Sequence, residues 1–141
     1  MPASHPVALV LAAVFTMLAA LHVYWALAGG AGAATVPTRA DGTLLFRPSP
    51  GGTLAVAGAL LAAAAVVLGR GGVAALPIPP ALYGVGAWGL GAVLALRAVG
   101  DFRYVGLFKR ERRSAFARRD TTLYSPLCAA LAAGVFYLAA V

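Results

Sequence analysis

Residues able to do acid–base or ion-binding chemistry gather at three places in an otherwise apolar chain. The candidates are His22, Tyr24 and Trp25; Arg97, Asp101, Arg103 and Tyr104; and Asp120 and Tyr124, with Arg47 as a further cation. An imidazole beside a carboxylate can act as a general acid or base. Guanidinium groups with aromatic walls instead suit a phosphate or carboxylate ligand.

The spacing of these residues favours a shared pocket. His22 and Trp25 are three residues apart and share a helix face, and Arg97 and Asp101, four apart, can pair if a helix continues that far. Ionisable groups at a membrane boundary are costly without partners. A pocket requires the side chains of His22, Trp25, Asp101 and Tyr124 to converge within about 10 Å.

A second interpretation needs no ligand at all. Tryptophan and tyrosine belong to interfacial belts, and an arginine near a helix end can extend its head group to the interface. Asp120 could simply cap a helix ahead of Pro126. Both interpretations stay open from the sequence.

Several other chemistries are disfavoured. His5 and His22 lie 17 positions apart in the sequence, about 25 Å along one helix, so no metal site and no cofactor are expected. Cys128 is the single cysteine, which excludes an internal disulfide and a Cys-x-x-Cys pair. A proton-coupled exporter is expected to carry an acidic residue in mid-helix, and every acidic residue here falls in a loop or at a helix end. No nucleophile motif identifies a catalytic residue.

The elements that carry these residues are predicted to be membrane-spanning helices. The chain is 62% hydrophobic and 11% charged, and its mean hydropathy is +0.88. A spanning helix needs about 20 apolar residues. Four segments meet or approach this length, at about residues 6–28, 53–69, 77–99 and 124–141, which predicts a single all-α domain, an integral membrane four-helix bundle.

The arginines predict the orientation of this bundle. The connection at about residues 100–123 carries seven basic residues, the connection at about 29–52 carries Arg39 and Arg47, and the second connection carries Arg70. The positive-inside rule places the first two connections in the cytoplasm and both termini outside the inner (cytoplasmic) membrane. The net charge of +7 therefore indicates lipid headgroups and not nucleic acid.

The connections carry local signals as well. Asp41-Gly42 predicts a tight turn, either in a small hairpin over residues 36–47 or in an irregular loop. Thr53 is a candidate N-cap of the second helix. Small residues recur every four positions at Ala55, Ala59 and Ala63, and again at Ala87, Gly91 and Ala95, a pattern typical of close helix packing.

The basic connection interleaves aromatic residues with cations. This pattern over residues 102–119 predicts a helix lying in the membrane interface. The candidates for contact with anionic lipids of the cytoplasmic leaflet are Lys109, Arg110, Arg112, Arg113, Arg118 and Arg119. The alternative is that these residues act only as topology signals during insertion.

Three blocks of sequence resemble a known family. They are the stretches at residues 22–30 (HVYWALAGG), 100–109 (GDFRYVGLFK) and 116–120 (FARRD), the last followed by Tyr124-Ser125-Pro126. They are similar to the signatures of a bacterial membrane family known as domain of unknown function 3995. The resemblance covers essentially the whole chain and implies a small four-helix membrane protein whose three blocks belong together.

Three functional hypotheses follow. In the first, a non-catalytic module binds a lipid or a small amphipathic or anionic ligand at the cytoplasmic helix ends. In the second, the chain is a membrane-embedded enzyme that acts on a lipid-dissolved substrate, with His22 oriented by Asp101 or Asp120. In the third, it is an assembly partner, in a homo-oligomer or with another membrane protein.

Overall fold

The computed structural model describes residues 3–28, 36–39, 41–75 and 77–141. Within these ranges the chain forms four long helices, α1 (Ser4–Ala28), α2 (Pro50–Arg70), α3 (Pro80–Val99) and α4 (Ala115–Ala140), and no β-strand. Each of the four is long and apolar enough to cross a membrane. The predicted all-α, four-helix membrane architecture is confirmed.

The helix starts differ from the predicted ones for local reasons. Ser49, not Thr53, caps α2: its hydroxyl accepts from the Gly52 N–H at 3.1 Å, and Pro50 follows in the first turn. The first turn of α3 begins at Pro80 instead of near residue 77. Ser114 caps α4 and accepts from the Ala117 N–H at 3.0 Å, so α4 begins at Ala115 and includes polar residues that a hydropathy pattern assigns to the loop.

The helices form two antiparallel hairpins that pack together. α1 packs chiefly against α2, and α3 packs chiefly against α4. Arg70, at the end of α2, donates from Nη2 to the Ala139 carbonyl at the end of α4 over 3.2 Å. Arg97, near the end of α3, reaches Asp120 near the start of α4. We call the end where α1 and α3 finish and α2 and α4 begin the basic end, because it carries the arginine-rich connection.

The shared core lies toward the opposite end of the bundle. Its buried residues come from all four helices: Ala8, Leu11, Ala12, Phe15, Ala63, Ala64, Val67, Ala87, Leu131, Val135, Leu138 and Ala139. A side chain at Gly91 would collide with the Phe136 ring, so α3 and α4 approach closely there. Ala63 and Ala87 of the two small-residue stripes are also buried, whereas Ala55 and Ala59 face outward.

Large apolar side chains cover the outside of the bundle. Leu27 is 79% exposed, Val85 70% and Leu96 69%. Such a surface would be unstable in water but suits hydrocarbon, in which helices satisfy their own backbone hydrogen bonds. The outward surface therefore agrees with the length and hydropathy of the helices.

The described part of the first connection contains a small hairpin-like turn. Thr38 and Leu44 form an isolated antiparallel bridge, and Gly42 occupies the turn with a φ of +83°. The Asp41 carboxylate accepts from the backbone N–H and the hydroxyl of Thr43 at 2.9 and 2.7 Å. This favours the hairpin over an irregular loop. Residues 29–35 and 40, which belong to the same predicted connection, lie outside the described residues.

Candidate functional site

Asp120 is the centre of the polar structure at the basic end. Its side chain is fully buried. Oδ1 accepts from Arg97 Nη2 at 2.8 Å, and Oδ2 accepts from the Gly106 N–H at 2.7 Å and from Lys109 Nζ at 3.0 Å. One carboxylate thus joins the end of α3, the connection and the start of α4.

Lys109 fills the space between the connection and α4. Its side chain is 1% exposed. The ammonium donates to Asp120, to the Gly106 carbonyl at 2.8 Å and to the Thr121 hydroxyl at 2.7 Å. These three bonds use all three of its protons, so the charge is fully solvated by protein atoms.

The helix around Asp120 is locally widened. Residues Asp120–Tyr124 form a π-helical turn between two α-helical parts, Ala115–Arg119 and Ser125–Ala140. The Ser125 N–H bonds to the Asp120 carbonyl, and Pro126, next in sequence, has no N–H to continue the regular ladder. The hydroxyls of Thr121 and Thr122 donate to carbonyls four residues back. This turn directs Asp120 toward α3 and the connection.

The connection begins with a tight loop built around Asp101. Asp101 Oδ1 accepts from the N–H groups of Arg103, Tyr104 and Val105 at 2.9, 2.7 and 2.9 Å. Partial burial raises the pKa of Asp101, but the bonds from these three N–H groups outweigh it and hold the pKa below its ordinary value. The carboxylate is therefore ionised at neutral pH, and its role in this loop is structural.

Two glycines close the base of the same loop. Gly100 and Gly106 have φ of +89° and +94°, and a side chain on either would collide with the backbone of the other. The Leu107 N–H donates to the Ala98 carbonyl at 2.8 Å and closes the loop onto α3. Phe102 at the tip has a φ of +60°, a rare and costly conformation for a phenylalanine, and its side chain is 57% exposed.

An open cleft of about 680 Å³ lies beyond this loop. It is lined by Asp101, Phe102, Arg103, Tyr104, Arg110 and Glu111. The Glu111 N–H donates to the Arg103 carbonyl at 2.9 Å and ties the two sides of the cleft together. The Arg103 guanidinium lies over the Tyr104 ring, 5.1 Å from its centroid. Two cations, two carboxylates and two aromatic rings therefore share one concave surface.

The outer surface of the connection and of the adjoining start of α4 is basic. The exposed cations are Arg103, Arg110, Arg112, Arg113, Arg118 and Arg119. Phe108, between them, is 61% exposed. Lys109 does not belong to this surface, because its buried ammonium faces Asp120, and so it leaves the set of predicted lipid contacts.

The residues of the predicted His22 pocket make separate contacts within the described part of the chain. His22 Nδ1 lies 2.8 Å from the Leu18 carbonyl, and its ring meets the edge of Trp25 with centroids 5.0 Å apart. Tyr124 instead stacks near Phe116, with centroids 6.1 Å apart. No hydrogen bond, ion pair or ring contact of the described residues joins His22 or Trp25 to Asp101, Asp120 or Tyr124.

Two further candidates are exposed side chains. Tyr24 is 60% exposed on α1, and Arg47 is exposed before α2. No group of three or more metal-binding side chains occurs among the described residues.

The condition for an Arg97–Asp101 pair, a helix that continues to Asp101, is not met, because α3 ends at Val99 and Gly100 turns the chain away; the partner of Arg97 is Asp120. The expectation of an interfacial helix in the connection is wrong. Residues 102–119 do not form one interfacial helix, since residues 100–114 are non-helical and only Ala115–Arg119 belongs to the start of α4. Asp101 and Asp120 instead accept from the backbone N–H groups of residues 103–106.

Sequence reasoning missed the role of Lys109 and Gly106, although one signal pointed to the lysine. Lys109 is the single lysine beside ten arginines. A compact ammonium on a flexible stem fits a small cage of oxygen atoms, whereas a planar guanidinium does not. A lysine in a chain whose other basic residues are all arginines therefore indicates the buried position, Lys109.

Comparison with known proteins gives a family and no function. The model of the family described as "Protein of unknown function (DUF3995)" matches residues 15–135. No curated protein and no solved structure matches the chain. The matched range contains Arg97, Asp101, Lys109 and Asp120, and so includes the whole polar structure at the basic end.

Proposed function

We propose that this chain, a member of the DUF3995 family of unknown function, is a non-catalytic membrane module whose basic connection binds anionic lipid headgroups of the cytoplasmic leaflet. The observation that carries the proposal is that the connection is held rigidly while its arginines stay exposed. Asp101 and Asp120 fix its backbone, and four guanidinium groups remain on its outer surface, with Arg118 and Arg119 also exposed at the adjoining start of α4.

The orientation belongs to the proposal and is supported by charge. Both connections at the basic end carry arginines, whereas the other end of the bundle has Arg70 alone, as the last residue of α2. The positive-inside rule then places the basic end in the cytoplasm, where the leaflet carries anionic lipids. The inner membrane of a bacterium is the proposed location.

Preorganisation strengthens such binding. A disordered basic segment loses conformational freedom when it settles on a surface, whereas this loop is ordered beforehand by hydrogen bonds. Exposed Phe102 and Phe108 lie next to cations in the sequence, and phenylalanine beside basic residues is typical of segments that insert at the boundary of headgroups and acyl chains. The combination suits a peripheral contact with headgroups better than acid–base chemistry, for which His22 has no carboxylate partner among the described residues.

A triple substitution tests the proposal. We expect Arg110→Gln, Arg112→Gln and Arg113→Gln together to weaken anionic-lipid contact by up to about 3 kcal/mol before screening, since each cation near an anionic leaflet contributes about 1 kcal/mol. Wild type and variant are reconstituted in the same orientation in bilayers of varied phosphatidylglycerol content. Native mass spectrometry then counts the retained lipids.

The matched control keeps the charge and changes the geometry. Arg112 Nε also donates to the Lys109 carbonyl at 3.3 Å, and both the glutamine and the lysine variant lose that bond. Because the triple lysine variant keeps the three positive charges, it should retain anionic lipid nearly as wild type does. Equal retention by the glutamine variant and wild type at every anionic fraction would leave the loop as a topology signal only.

A further inference from the structure

We propose that the cleft between Arg103 and Arg110 binds the phosphoethanolamine headgroup of a phospholipid. This rests on the proposed function, because the connection must lie at headgroup depth. It adds a chemical selectivity that the exposed arginines alone do not provide, namely recognition of an ammonium group together with a phosphate.

The charges that line the cleft are balanced. Arg103 and Arg110 supply two positive charges, and Asp101 and Glu111 supply two negative charges. A purely anionic headgroup in this cleft would meet the two carboxylates. A headgroup that carries a phosphate and an ammonium can place each charge beside groups of the opposite sign.

Both carboxylates have oxygen atoms left for a ligand. The three backbone bonds to Asp101 all go to Oδ1, and the Arg113 N–H donates to Glu111 Oε1 at 2.9 Å. The second oxygen of each carboxylate accepts no hydrogen bond from the described residues. A primary ammonium, with three N–H donors, can use such acceptors, whereas the trimethylammonium of choline has no N–H to donate.

The aromatic residues complete the site. Tyr104 supports the Arg103 guanidinium from one face, which orders a flexible cation before any ligand arrives. Phe102 is held in its costly backbone conformation beside the cleft. Such a conformation persists only where surrounding contacts determine it, and here the three N–H bonds to Asp101 do so.

The test compares headgroups that differ in one feature. Protein in bilayers containing phosphatidylglycerol is supplied with equal fractions of phosphatidylethanolamine and phosphatidylcholine, and retained lipids are counted by native mass spectrometry. We expect wild type to prefer the ethanolamine lipid by about three- to tenfold, the range for one charged hydrogen bond in a partly exposed site. Glu111→Gln should bring the ratio close to one, and Arg103→Gln should lower retention of both the ethanolamine and the choline lipid.

Controls separate recognition of the ethanolamine headgroup from general binding of anionic lipids. Glu111→Gln keeps an oxygen acceptor for the Arg113 N–H, so the loop retains that bond. Asp41→Asn makes the same change of charge in the first connection and should leave the ratio unchanged. If the triple arginine variant loses anionic lipid but Glu111→Gln keeps the wild-type ratio, anionic-lipid binding stands and the headgroup assignment is overturned. Soluble phosphoethanolamine is tested as a second ligand. If the protein binds it saturably but shows no preference for the ethanolamine lipid, the ligand is a free small molecule and the assignment to a lipid headgroup is overturned.

Discussion

At the residue scale, the Asp120 carboxylate links the end of α3, the connection and the start of α4. A buried carboxylate is costly unless several groups compensate it. Arg97, Lys109 and the Gly106 N–H provide that compensation from three separate positions. Breaking such a site by removing one partner costs more than the pair itself contributes, because the other charges stay buried.

This cost is measurable in purified protein. We expect Asp120→Asn to lower the free energy of unfolding by about 3 kcal/mol, mainly because the buried ammonium of Lys109 loses its counter-charge. Thermal unfolding in detergent would show this as a lower Tm. Asp41→Asn, at an exposed turn, should change stability by about 0.5 kcal/mol or less. Adding Lys109→Met to Asp120→Asn should recover part of the loss, and an unchanged Tm for Asp120→Asn alone would contradict the assigned role.

The sequence identified the polar residues of this end but not their pairing. The spacing of Arg97 and Asp101 allowed a helical pair only if the helix continued to Asp101, and α3 ends at Val99. The true pair, Arg97 and Asp120, is separated by 23 positions, and its formation depends on how the intervening loop folds back. Local periodicity holds no information about such a contact.

At the element scale, the connection is a folded unit and not a tether. Gly100 and Gly106 meet at its base, and the Gly106 N–H also reaches Asp120. The loop geometry and the buried carboxylate are therefore coupled through one peptide group. Neither glycine has room for a side chain.

Alanine substitutions at these glycines should separate backbone geometry from packing. We expect Gly100→Ala or Gly106→Ala to destabilise the protein by about 2 kcal/mol or more, because a positive φ and a backbone collision act together. The matched control is Gly58→Ala in α2, where a side chain would meet no neighbour and alanine favours the helix. Comparable Tm values for all three variants would show that the loop can rearrange freely.

The helices themselves were largely predictable, and the exceptions have local causes. Long apolar stretches fix the four spans because hydrocarbon leaves the backbone few alternatives. The polar first turns of α4 and its π-helical turn escaped prediction, since both depend on Ser114, Pro126 and the partners of Asp120. A hydropathy pattern predicts the part of a helix that contacts lipid. It does not predict polar turns that extend the same helix beyond the apolar region.

At the scale of the whole molecule, the two hairpins pack together through a core near one end, and the proposed lipid contacts lie at the other end.

The arginines predict the orientation of the bundle in the membrane, and labelling of single cysteines can measure that orientation. In a Cys128→Ala background, we expect Val141→Cys to react with an impermeant maleimide on intact cells. Arg110→Cys should react only after the membrane is opened. Protection of Val141→Cys in intact cells would reverse the assigned topology.

The separation of Arg97 from Asp120 also sets an order of events during synthesis. Arg97 leaves the ribosome 23 residues before Asp120, which at 5–20 residues per second is an interval of about 1–5 s. Through that interval the third helix carries a cation near its end whose counter-charge has not yet left the ribosome. Until Asp120 emerges, Arg97 can pair only with other groups, such as lipid phosphates at the membrane boundary.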